Sequence, residues 1–120
     1  MNGQWDLAGA LKRLLAFRDA RDWQRFHTPK DLAAALSIEA GELQEVFLWQ
    51  PALDSASVRA DRERLARARE EVADCAIYLL LVAHELGIDL ARAVDEKISS
   101  NEARYTVDAH RGVAKKAAKT

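Results

Sequence analysis

The sequence predicts an all-α fold, a four-helix bundle, on three observations. Ala, Leu, Arg, Glu and Lys dominate the 120 residues and β-branched residues are few, a composition that favours helix. Apolar residues recur at helical spacing in four separate stretches, and no strand-like alternation runs long enough to compete. Five glycines and two prolines exclude a collagenous, low-complexity or turn-dense all-β chain.

The first helix is expected from about Asp6 to Arg21, where Leu7, Leu11, Leu14, Leu15 and Arg18 form one amphipathic stripe. The second has a clear start signal: Thr28 can cap, Pro29 takes the first helical position, and Asp31 suits the positive helix end. It is expected to run to about Trp49, with Pro51 forbidding much continuation. The segment Pro51 to Ser57 reads as a loop. A long third helix is expected from about Val58 to Leu86, polar in its first half and apolar in its second, with Gly87 as its stop. Asp89 can cap a fourth helix through about Arg104, with Leu90, Val94, Lys97, Ile98 and Asn101 along one side. Residues 1–112 are expected to be one domain, and 113–120 a basic tail, loosely ordered or ordered only by a partner subunit.

Length and charge narrow the functional classes. A chain this long supports one core. With 18 Lys plus Arg against 19 Asp plus Glu, it lacks the basic footprint of a nucleic-acid or membrane-surface binder. The single Cys75 excludes an internal disulfide or a Cys-cluster zinc site, and its inward position reads as packing. The start MNGQWDLAGALKRLL does not read as a signal peptide. The longest apolar run, Cys75 to Ala83, is about half the roughly 18 residues of a membrane span. A cytoplasmic protein is expected.

The chemistry lies in acids placed on apolar faces. At about 100° per residue, Glu39 falls within about 60° of Leu32, Ala35, Leu36, Leu43 and Val46, in the middle of the second helix's apolar stripe, with Glu42 on its border. On the third helix Glu71 falls within about 40° of Cys75, Tyr78 and Val82, with Asp74 about 60° away. Each helix thus carries two acids three residues apart. Buried carboxylates protonate or demand positive charge. Four converging acids suit a hard divalent cation, Mg²⁺ or Mn²⁺, with positions left for water and phosphate oxygens. No His or Cys joins the set, which argues against zinc. The Glu-x-x-His pairs of di-iron bundles are also absent: Gln24, Leu81 and Val107 precede His27, His84 and His110. The rival to metal binding is a non-catalytic helical interaction module whose acids pair with arginines across a dimer, a reading supported by the Arg-rich stretch Arg59 to Arg69.

The segments EAGELQE (39–45) and EEVADCAIYLL (70–80) resemble the ExxE…ExxD pattern of MazG-like nucleoside triphosphate pyrophosphohydrolases. RDWQRFHTPKDLAAAL, EAGELQEVFLWQ and KISSNEARY together resemble the dCTP pyrophosphatase branch of that all-α superfamily, over about residues 5–112. The resemblance implies the all-α NTP pyrophosphatase architecture, with Glu39, Glu42, Glu71 and Asp74 as catalytic Mg²⁺ ligands. It implies hydrolysis of a (deoxy)nucleoside triphosphate, dCTP or a modified dCTP, to the monophosphate and pyrophosphate, a reaction of nucleotide-pool sanitation. It places Lys97, Asn101, Arg104 and Tyr105 near phosphates and sugar, and Trp23, His27, Trp49 and Tyr78 around the base. Assembly as a homodimer or homotetramer is implied too. Thr106 stands where the family pattern continues with proline. The residues alone leave two points open. Lys97 and Arg104 on an apolar stripe either reach phosphate or extend past it to solvent, and the aromatics either stack a base or fill a core.

Overall fold

The computed structural model describes residues 5–51 and 53–117. All regular structure among them is helical, and it divides into two compact units, residues 1–87 and 88–120. The first unit holds α1 (Leu7–Ala20), a 3₁₀ turn (Gln24–Phe26), α2 (Pro29–Glu45), α3 (Ser55–Ala60) and α4 (Arg62–Glu85). The second holds α5 (Leu90–Arg104) and α6 (Val107–His110). The four long helices fall close to where periodicity puts them; α6 and the 3₁₀ turn are additional, and α3 is split off from the expected third helix.

Local chemistry sets most boundaries. Asp6 accepts from the Gly9 N–H at 2.8 Å to start α1, and Thr28 accepts from the Asp31 N–H at 3.2 Å ahead of Pro29 in α2. Asp89 accepts from the Arg92 N–H at 3.1 Å to start α5. Gly87, at φ 66°, takes the left-handed conformation that ends α4, and its N–H donates to the His84 carbonyl.

Two expected boundaries are corrected. The second helix stops at Glu45 rather than at Trp49: Val46, Phe47 and Leu48 donate to carbonyls three residues back, and Trp49 turns to φ 63°. The Val46 carbonyl accepts Arg64 Nη1 at 2.7 Å, so a side chain of α4 occupies what a continuing helix would use. The expected long third helix is two helices. Asp61 is extended (φ −93°, ψ 101°), closing α3 and capping α4 through a 3.1 Å bond from the Arg64 N–H. Asp54 caps α3 from within the stretch expected as loop. The described part of the tail, residues 113–117, has no regular structure, and Ala117 O accepts Arg104 Nη2 at 3.2 Å. Residues 118–120 lie outside the described residues.

Within the first unit α4 is the central element: α2 packs along it, and α1 and α3 touch it. Leu32, 2% exposed, is the most deeply buried large side chain, with Val46, Ala68, Leu80, Leu81 and Ala83 also buried. Burying a leucine contributes about 1.5–3 kcal/mol. Glu39 lies two turns beyond Leu32, about 20° away around the helix, so the burial of Leu32 also sets where Glu39 points. Arg18 is buried at 4% exposure and is held by carboxylates of Asp19 and Glu85.

Candidate functional site

Glu39 and Glu42 project from α2 one helical turn apart, and Glu71 projects from α4. Their carboxylates each offer an oxygen, and these oxygens lie within 4.8 Å of one another. Glu39 and Glu71 are half-buried and Glu42 is exposed. Asp74, half-buried one turn after Glu71, stands outside that tight trio, although its charge acts on both Glu39 and Glu71. The acids therefore converge from two helices, three in immediate contact range and the fourth beside them.

Their electrostatics follow from crowding. Glu39 is pushed up to about 7, first by sharing a proton with Glu42, then by burial and by the charge of Glu42. Burial foremost, and then Glu42, raises Glu71. Burial also raises the Cys75 thiol, and the negative charges of Glu39, Glu71 and Asp74 push it the same way. Such a thiol stays protonated, in keeping with a packing role.

A divalent cation fits these residues. Glu39 Oε2 and Glu71 Oε2 are both buried without a hydrogen-bond donor. Buried carboxylate oxygens with no donor call for positive charge. Arginine does not supply it among the described residues, where the ion pairs engage Asp19, Asp22, Asp61, Glu85 and Glu96 and none of the four acids. Arg64, from the basic stretch, pairs with Asp61 instead. An all-carboxylate donor set suits Mg²⁺ or Mn²⁺.

Two of the four acids, Glu39 and Asp74, open onto a cavity of about 600 Å³ whose lining also includes Trp23, His27 and Tyr78. Three of the four aromatic or imidazole side chains singled out in the sequence thus meet the acids in one space. His27 Nδ1 is buried there without a partner. Trp49 is the exception: it does not line this cavity and stands 90% exposed, because α2 ends at Glu45 and the following turn carries it away. Sequence reasoning missed the wall supplied by α1, where Ala10, Leu14, Phe17 and Arg18 line the cavity. Phe17 meets Trp23 edge to face at 5.6 Å, and the Arg21 guanidinium lies 3.7 Å from the Phe17 ring centre. Their i, i+4, i+7, i+8 spacing was the available signal.

Lys97, Asn101, Arg104 and Tyr105 are carried by the second unit. The first three lie along one face of α5, Lys97 exposed and the others half-buried, and Tyr105 closes the helix. Tyr105 packs edge to face with His110 at 5.1 Å, and the Arg104 guanidinium lies 5.5 Å from its ring centre.

The sequence matches the MazG-like family over residues 34–119. It is 39% identical over 105 residues to dCTP pyrophosphatase 1 from Rattus norvegicus, covering 87% of this chain and 62% of the relative. With dCTP pyrophosphatase 1 from Homo sapiens the identity is 36% over 107 residues, covering 88% and 63%. The chain thus spans about three-fifths of the length of these curated relatives. A crystal structure of a pyrophosphatase from Archaeoglobus fulgidus superposes with a TM-score of 0.77 at 35% identity, covering 88% of this chain and 97% of that one. With the acid pairs on α2 and α4, the all-helical fold and a match over most of its length, the chain belongs to the MazG-like family.

Proposed function

We propose that this protein is a Mg²⁺-dependent nucleoside triphosphate pyrophosphohydrolase. It cleaves a (deoxy)nucleoside triphosphate, dCTP or a modified dCTP, between the α and β phosphates to the monophosphate and pyrophosphate. The carrying observation is the convergence of Glu39, Glu42 and Glu71, with two buried oxygens lacking donors, beside a cavity that Glu39 lines together with Trp23, His27 and Tyr78. Similarity to dCTP pyrophosphatases and to an archaeal pyrophosphatase supports the same reading.

Glu39, Glu42, Glu71 and Asp74 would hold Mg²⁺ or Mn²⁺. A cation bound there supplies Lewis-acid polarisation of phosphoryl oxygens and offsets the charge of the triphosphate. Glu39, central among the acids, takes the proton from the water that attacks the α phosphorus as the pyrophosphate leaves. Trp23, His27 and Tyr78 hold the base inside the cavity, and the face of Trp23 offers it a stacking surface. Lys97 and Arg104 would provide a point charge and a fork for phosphate, and Asn101 and Tyr105 polar contacts to phosphate and sugar.

Residues 1–112 act as one functional domain in this reading, with 113–120 as a basic tail. Exposed Ile38, Val72 and Leu79 on α2 and α4 support a homodimer or homotetramer. No described helix is long and apolar enough to cross a membrane, and a cytoplasmic location is in keeping with a nucleotide substrate. The test is a screen of common and modified nucleoside triphosphates with Mg²⁺, detecting pyrophosphate. Pyrophosphate release fastest with deoxycytidine triphosphates is expected; release of inorganic phosphate alone, or no product from any triphosphate, overturns the reading.

A further inference from the structure

Arg18 falls on the apolar stripe of α1, where a cation is costly unless paired. Its side chain is 5% exposed; Nε donates to Asp19 Oδ1 at 2.8 Å and Nη1 to Glu85 Oε1 at 3.1 Å. Those bonds use two of the five N–H donors of a guanidinium. Nη2 donates to nothing among the described residues, yet Arg18 lines the cavity shared by Trp23, His27 and Tyr78. Leu14, Leu80 and Leu81 in the same lining offer no side-chain acceptor, and its acids Glu39 and Asp74 form no ion pair with Arg18. The Arg18 carbonyl also accepts the Trp23 N–H at 3.1 Å, so one residue anchors both the donor edge and the backbone of the indole.

We propose that Arg18 determines base specificity: clamped by Asp19 and Glu85, its guanidinium presents N–H donors to the adjacent O2 and N3 acceptors of a cytosine held in the cavity. A donor-only edge cannot pair well with thymine or uracil, where N3–H stands beside O2, nor with the alternating N6–H₂ and N1 of adenine. Guanine carries an acceptor pair at O6 and N7, so dGTP is the decisive competitor. The inference rests on the proposed nucleotide activity and deepens it by naming the residue that reads the base.

The experiment measures pyrophosphate release from dCTP, dTTP, dATP and dGTP by the wild type, Arg18→Met and Arg18→Lys at saturating Mg²⁺. Wild type is expected to prefer dCTP. Each variant is expected to lose about 10-fold or more in kcat/KM for dCTP, through KM, with kcat within about twofold and the dCTP-to-dTTP ratio falling in step. Folded variants that keep the ratio, a uniform loss of kcat on every substrate, or a wild-type preference for dGTP would overturn it. Should both variants fail to fold, a crystal structure of the wild type with dCMP decides: Nη2 within hydrogen-bond distance of O2 or N3 supports the assignment, and a separation beyond that distance refutes it. If the wild type hydrolyses no triphosphate, the activity reading fails separately, and calorimetric titration with deoxycytidine against thymidine still tests Arg18. Tighter binding of deoxycytidine, lost in Arg18→Lys, supports it; equal binding of the two nucleosides refutes it.

Discussion

Glu39 of α2 and Glu71 of α4 face each other across the helix pair, their carboxylates within 4.8 Å and each with a buried Oε2 that no donor satisfies. Two like charges in that relationship repel, and burial makes the repulsion stronger than it would be in water. The fold tolerates the arrangement because Leu32 and its apolar neighbours hold α2 against α4.

The metal-free protein is expected to lose stability as pH rises. Glu39 has a folded-state value of about 7 against an ordinary 4.5, so the fold binds its proton more tightly than the unfolded chain does. Its stabilising contribution is complete below about 4.5 and disappears as pH climbs through about 7. Melting in the presence of a chelator should show a midpoint that falls from about pH 5 to about pH 8. In Glu39→Gln the fall should be shallower and the midpoint at the upper pH higher than in the wild type. A midpoint that rises across this range in the wild type would contradict the electrostatic account.

Leu32→Ala should loosen the site as well as the core. Removing a buried leucine side chain costs about 2–5 kcal/mol, measurable by urea denaturation. Since Leu32 and Glu39 share a face of α2, the variant should also bind divalent cation more weakly at temperatures where it remains folded. Unchanged cation affinity would mean that the acids are positioned independently of this contact.

Much of the architecture was legible because its signals are local. Thr28 with Pro29, Asp89 and Gly87 each encode a helix end within a few residues, and the structure uses all of them. Glu39 and Glu71 stood out because their angular positions fall inside apolar stripes. The misplaced boundaries came from competition that spacing cannot reveal. Asp61 sits in a run of good helix formers, and only its side chain capping the Arg64 N–H separates α3 from α4. The end of α2 depends on Arg64 reaching a carbonyl 18 residues earlier, and the burial of Arg18 depends on Glu85, 67 residues later. Such non-local pairings leave no periodic trace.

Trp23→Ala should weaken nucleotide binding more than chemistry. Trp23 lines the cavity and is braced edge to face by Phe17. Loss of a base stack is worth roughly 1–3 kcal/mol, so KM should rise about 10-fold while kcat changes little. Quenching of tryptophan fluorescence on adding nucleotide to the wild type should shrink in the variant. An unchanged KM would show that the cavity does not hold the base.

The most direct test is a Mg²⁺ titration of the melting midpoint near neutral pH, run in parallel on the wild type and Glu71→Ala. The wild-type midpoint is expected to climb with Mg²⁺ and saturate, while the variant stays flat and releases no pyrophosphate. A wild type indifferent to Mg²⁺, or a variant that responds equally and still turns over, would contradict the proposed metal site.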